Sequence, residues 1–161
     1  MSGGVDSTAS ALLLREKYQI KGFFMQLAQP DFPAQKKRVE TIAAKLGIEL
    51  AVIDLRQEFQ RKVLDYFSTS YFKGLTPNPC VICNREIKFG LFLDAILGAG
   101  MEKMATGHYA RIGTSKNNQL AVRRSTDKTK DQSYFLCRLE QEQLQKMVLP
   151  LGEKTKIEVY G

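Results

Sequence analysis

The chain has no tryptophan, a single histidine and only three cysteines in 161 residues, and each scarcity removes a class of chemistry. One imidazole, His108, excludes a His-rich metal site. An odd number of cysteines, two of them close together, does not make the disulfide framework of a small secreted domain; they read as site chemistry plus one spare. No apolar run approaches the length of a membrane span and the N-terminal residues do not form a signal peptide, so a cytoplasmic protein without a membrane partner is expected. Repeats and low-complexity tracts are missing too. Acids are in deficit: 24 Lys and Arg against 17 Asp and Glu leave a net charge of +7, which favours a polyanionic partner. What remains, 43% apolar and 25% charged, suits one domain with a real core.

The chain opens with Met1-Ser2-Gly3-Gly4-Val5-Asp6-Ser7. Two adjacent glycines let the backbone curl tightly and approach a ligand without a Cβ in the way, and Ser2 and Ser7 add hydroxyl donors. Apolar spacing of Ala9, Leu12 and Leu13 starts a helix at Ser7 or Thr8, aiming free amides and the positive helix end at the turn. The segment is a phosphate cradle, though neither a Walker loop nor a GxGxxG turn.

Downstream, a helix to Lys17 precedes a buried strand from Ile20 to Leu27. Pro30 and Pro33 punctuate a loop, and Val39, Ile42, Ala43 and Leu46 then mark a helix that stops at Gly47. A strand from Ile48 to Asp54 and a third helix to Phe72 continue the alternation. Such alternation predicts an α/β fold, a doubly wound and mostly parallel sheet with helices on both faces and ligands beyond the carboxyl ends of the strands. The strand that should precede the glycine turn is absent, so the first strand of the fold is expected to be missing and the sequence reads as a fragment.

Leu75-Thr76-Pro77-Asn78-Pro79-Cys80-Val81-Ile82-Cys83-Asn84 is expected to be a loop presenting both cysteines, because prolines break helices. A helix with Ile87, Leu91 and Ala95 on one face should follow, then a short strand from Met104 to Thr106 with Gly107-His108-Tyr109 as its exit. Residues 111–130 carry Arg111, Lys116, Arg123, Arg124, Lys128 and Lys130 against the single acid Asp127, with a hairpin tip at Lys116-Asn117-Asn118. A helix from Glu140 to Val148 is the last element expected, with none beyond Pro150. The chain is thus one domain, residues 1–161, made of an α/β core (1–110) and a basic hairpin with a helical segment (111–161).

Cys80 and Cys83 have the spacing that lets two sulfurs reach one centre. Half a zinc site, completed by Cys137 and His108, a redox pair, iron–sulfur ligation, a reactive thiol and two inert cysteines all fit that spacing. Lys88 and Arg85 would lower a thiol pKa if they faced it; otherwise they line a solvated helix face.

Four segments in one order narrow the choice: Ser2 to Ser7, Gly74 to Phe89, Ala105 to Arg111 and Lys130 to Leu136. Together they resemble the tRNA-specific 2-thiouridylases, members of the ATP pyrophosphatases with an SGGxDS loop, over nearly the whole chain. The resemblance implies an adenine nucleotide alpha hydrolase-like, Rossmann-like domain that replaces the 2-oxygen of the wobble uridine by sulfur, using ATP, Mg²⁺, tRNA and a sulfur-donor protein. It implies that Ser2, Gly3, Gly4, Asp6 and Ser7 hold the phosphates, and that Met25 and Gly107 contact adenosine. Cys83 falls on the nucleophile, Asn78, Pro79 and Cys80 on the segment that meets the base, and His108, Lys130, Asp131 and Gln132 on tRNA-contacting positions.

The chain departs from the family pattern in three ways. Cys80 replaces an Asp of many members, which makes Cys80 and Cys83 candidate catalytic thiols and candidate ligands of a [4Fe-4S] cluster such as some members are described as holding. A second catalytic cysteine, in a later segment, is missing; Cys137 does not match it and is expected in the core. The C-terminal domains that complete tRNA binding are also absent. The competing readings are an inactive nucleotide- or cluster-binding module and a related ATP pyrophosphatase acting on another substrate.

Overall fold

The computed structural model describes residues 1–160. Helix α1 (Val5–Arg15) leads to strand β1 (Gly22–Gln26), helix α2 (Phe32–Leu46) and strand β2 (Leu50–Asp54). Pro33 lies inside the first turn of α2 rather than in the preceding loop, because a helix's first amides need no acceptor and proline lacks only that donor. Gly47 ends α2 in the left-handed conformation, as expected.

The third helix is continuous from Arg56 to Phe72: α3 (Arg56–Phe59), a π-helical stretch (Gln60–Leu64) and α4 (Asp65–Phe72). The next differs from expectation. The helix begins at Pro79, running through α5 (Pro79–Ile82) and a π-helical stretch (Cys83–Leu91) that kinks at Gly90, where φ is −98° and ψ −109°, into α6 (Phe92–Gly98). Cys80 and Cys83 therefore lie on a helix, not in a loop, since Pro79 takes the first helical position and Asn78 caps it.

After β3 (Met104–Ala105) come the hairpin strands β4 (Ala110–Thr114) and β5 (Leu120–Arg124), a 3₁₀ turn (Ser133–Leu136), α7 (Gln141–Gln145), β6 (Met147–Val148) and α8 (Lys156–Tyr160). The expected helix to Val148 stops early, because Met147 and Val148 instead pair in parallel with Met104 and Ala105. Helix α8 falls where no element was expected. Thr155 and Glu158 form a reciprocal cap, Thr155 N–H donating to Glu158 Oε2 at 2.7 Å and Glu158 N–H to Thr155 Oγ1 at 3.3 Å, and this T-x-x-E spacing was visible in the sequence.

The fold is α/β with parallel strands separated by helices, as expected. β1 pairs with β2 from Gly22↔Leu50 to Gln26↔Asp54, and β3 with β6; these parallel pairs are not hydrogen-bonded to one another, and β4–β5 is antiparallel. Beside β1, the Met1 amino group donates to the Phe23 carbonyl. The core gathers on the Pro79–Gly98 helix, where Ile87, Phe89, Phe92, Leu93 and Ile96 meet Phe23, Val63, Met104, Leu136 and Met147. Each such side chain contributes about 1.5–3 kcal/mol by leaving water, which fixes the cysteine-bearing helix against both parallel pairs.

Candidate nucleotide and thiol site

The glycine turn has the geometry of an open cradle. Gly3 takes φ +77°, which an L side chain rarely adopts, and a Cβ there would press on Arg38 and Val39 at 3.2 and 3.3 Å. Gly4 caps α1 without any side-chain hydrogen bond, and the first backbone bond is Thr8 N–H to Gly4 O at 3.2 Å. The amides of Val5, Asp6 and Ser7 consequently point at the turn with no protein acceptor among the described residues. Ser7 Oγ donates to Gly4 O at 3.0 Å and lies 3.2 Å from Ser2 Oγ, so the two hydroxyls brace the turn.

Three segments converge on Asp6. Its Oδ1 accepts from Tyr109 Oη at 3.0 Å and from Lys156 Nζ at 2.5 Å. Gly107 presses so closely that a Cβ would lie 2.8 Å from the Asp6 carbonyl carbon, a distance real side chains do not reach. Gln132 holds Tyr109 at both backbone groups, accepting from its N–H at 3.0 Å and donating to its carbonyl at 2.8 Å. Gly107 and Gln132 thus join the glycine turn in one assembly. Met25 sits half-buried in β1, its carbonyl bonded to Gln29 Nε2 at 3.1 Å. Sequence reading assigns no role to Tyr109, Gln29 or Lys156: Tyr109 lies in the Ala105 to Arg111 segment but is not singled out within it, Gln29 carries no motif, and Lys156 is signalled only by the cap before α8.

At the other helix start, Asn78 Oδ1 accepts from Val81 N–H at 3.2 Å and closes the N-terminus that Gly4 leaves open. Cys80 is exposed and Cys83 half-buried. Asn84 Nδ2 donates to Cys80 O at 3.0 Å, while Asn84 Oδ1 is buried without a partner. From Cys83 the helix runs with i→i+5 bonds, which place Lys88 one turn beyond Cys83 on the same side. Burial pushes the Cys83 thiol up, opposed by the positive charge of Lys88, and burial pushes the Lys88 ammonium down. Arg85 turns outward to Glu140 at 2.5 Å. Lys88 is therefore the basic residue that faces the thiol. The π-helical carbonyls of Arg85 and Phe89 are held by Gln143 Nε2 at 3.0 and 2.8 Å.

Burial lowers the pKa of the Met1 amino group and of His108, and the positive charge of Lys88 lowers both further. His108 is buried at 9% exposure, 2.8 Å from Thr106 Oγ1 through Nδ1 and packed on Phe89 with ring centroids 5.7 Å apart. Burial, reinforced by Lys88, pushes its pKa down to about 3 and keeps it neutral. The imidazole thus supports the β3 exit from inside.

Asp131 likewise turns inward, accepting from Ser125 N–H and Ser133 Oγ at 2.8 Å each, whereas Lys130 is exposed. Cys137, expected in the core, is exposed: its 3₁₀ turn buries Leu136, and the next residue projects elsewhere. Among the described residues no three His, Cys, Asp or Glu side chains converge to hold a metal. The pair offers two thiols, and the glycine turn offers one carboxylate, Asp6.

The family model described as tRNA methyl transferase HUP domain matches residues 1–160. A tRNA-specific 2-thiouridylase MnmA of Desulfotalea psychrophila is 59% identical over 161 residues, covering 99% of this chain and 46% of that protein. The protein of the same name in Syntrophomonas wolfei is 50% identical, with 99% and 47% covered, and that of Treponema denticola 44% identical, with 99% and 46%. The chain spans about half the length of these curated relatives. An open glycine turn braced by Gly107 and Tyr109 and a thiol-bearing helix in an α/β frame go with that agreement, and the chain belongs to the tRNA methyl transferase HUP domain family.

Proposed function

We propose that this chain is the ATP-binding, thiol-bearing part of a cytoplasmic tRNA 2-thiouridylase. The observation that carries the reading is the half-buried Cys83 with the positive charge of Lys88 acting on it, in the same α/β domain as an uncapped glycine turn. Uridine O2 is a poor leaving group. Its attack on the α-phosphorus of ATP makes an adenylated base and releases pyrophosphate; a sulfur nucleophile then attacks C2 and AMP leaves.

The amides of Val5, Asp6 and Ser7 donate to the phosphates and stabilise charge developing on pyrophosphate, and the Ser2 and Ser7 hydroxyls, which brace the empty turn, rotate to donate when it is filled. Mg²⁺ would take Asp6 from this chain and otherwise phosphate and water, as that ion commonly does, and would supply charge neutralisation. Met25 and Gly107 flank the adenosine. Asn78, Pro79 and Cys80 meet the base at the exposed helix start, and Cys83 is the thiol nucleophile. A [4Fe-4S] cluster on Cys80 and Cys83 would need thiolates beyond the two the site offers, so the residues present do not fit one. Lys130 and the basic hairpin meet tRNA phosphates, and Asp131, Gln132 and His108 hold those surfaces in shape from within.

The test measures pyrophosphate and 2-thiouridine with and without tRNA. Pyrophosphate release should require tRNA; equal release without it would overturn the substrate assignment. Cys83→Ser should lower thiolation by at least about a thousandfold, as loss of a nucleophile does, and full thiolation by that variant would remove Cys83 from the role.

A further inference from the structure

Helix α8 is short, yet it carries the one side chain that reaches the carboxylate of the glycine turn from the far end of the described chain. Its start is held in place twice. Lys156 N–H donates to Asp127 Oδ2 at 3.0 Å, and Thr155 and Glu158 cap one another. Val159, one turn on, lines the same groove as Gly3, Gly4, Val5 and Thr8, a space of about 270 Å³ along α1. Nothing in these contacts requires a cation at position 156. The ammonium is nevertheless aimed at Asp6, 5.6 Å above the Tyr109 ring and 4.9 Å above the Tyr160 ring, with a side chain 22% exposed.

Asp6 is the second residue of α1, so a cation on its carboxylate lies within a side chain's length of the unpaired amides. Without that cation the cradle would combine donors for an anion with a bare carboxylate that repels it. With it, the turn presents amides and an ammonium together. We propose that Lys156 is a nucleotide-binding residue: its ammonium neutralises Asp6 in the empty turn and moves to a phosphate oxygen of ATP when the turn is filled. This rests on the reading of the glycine turn as the ATP site. Tyr109 keeps its bond to Asp6 and holds the carboxylate in place as the lysine changes partners.

The experiment compares ATP with adenosine, which carries no phosphate, as titrants of the wild type, Lys156→Met and Lys156→Arg, with thermal unfolding of each variant as a check on folding. Lys156→Met should weaken ATP binding at least tenfold and leave adenosine binding unchanged. Lys156→Arg should recover most of the ATP affinity, since it restores the charge. Unchanged ATP affinity in Lys156→Met would overturn the proposal, and so would equal losses for ATP and adenosine, which would make the residue structural. Should wild-type protein bind no ATP at all, the reading of the glycine turn itself fails, a result distinct from either of these.

Discussion

Two helix beginnings dominate this molecule and are built in opposite ways. At Val5 the cap is Gly4, no side chain satisfies the first amides, and the turn is held from outside by Gly107, Tyr109 and Lys156. At Pro79 the cap is Asn78, whose side-chain carbonyl Oδ1 takes the Val81 amide, and proline removes another donor. The open start keeps its donors for an anion. The closed start withholds them and presents side-chain sulfur, with Lys88 rather than backbone dipoles supplying positive charge to Cys83. One helix end thus offers charge stabilisation, the other a nucleophile.

The strongest way to break this contrast is to cap the open end. Gly4 has φ −88° and ψ 162°, ordinary N-cap geometry, and an added Cβ would meet only Ser2 Oγ at 3.6 Å. Gly4→Asp should stabilise the fold by about a few tenths of a kcal/mol. Its carboxylate would take the free amides and repel phosphate, so the KM for ATP should rise by at least about tenfold.

Removing the cation at the closed end comes next. In a Cys80→Ser background, Lys88→Met should move the pH dependence of Cys83 alkylation upward, because the thiolate loses the charge that opposes its burial. Each unit of that displacement slows alkylation about tenfold at pH values below the thiol pKa.

A smaller effect tests the buried histidine at the exit of β3. His108 is neutral when folded, with a pKa of about 3 against the ordinary 6.5, so the unfolded chain binds the extra proton between those values. Its contribution is complete above about pH 6.5 and is lost as the pH falls toward 3, by up to about 1.4 kcal/mol per unit. His108→Gln should flatten the fall in stability on acidification, measured by urea unfolding at several pH values. Least of all, Asn78→Ala should cost about 1 kcal/mol by uncapping the cysteine helix, read from thermal unfolding, and leave ATP affinity unchanged.

Much of the fold was legible because it depends on neighbours in sequence. Apolar spacing located α1 and α2, and the turn residues Lys116-Asn117-Asn118 the hairpin, to within a few residues, and Gly47 stopped α2 where expected. The failures have physical causes. Proline was taken as a helix breaker, yet at Pro33 and Pro79 it opens a helix, where its missing N–H costs nothing. The π-helical register after Cys83 rests on Gln143, more than fifty residues away, bonding to Arg85 O and Phe89 O. Cys137 was expected inside on the habits of free cysteine, but Leu136 takes the buried side of that turn.

By itself the sequence determined the α/β alternation, the glycine turn, the paired thiols and the basic surface, since each is set by residue type and short-range spacing. Only the tertiary structure decided which groups serve them. Lys88 rather than Arg85 faces Cys83, His108 supports from within, and Lys156 reaches Asp6 across 150 positions of chain. The reason is that a charge acts through distance in space and the medium between, and packing sets both.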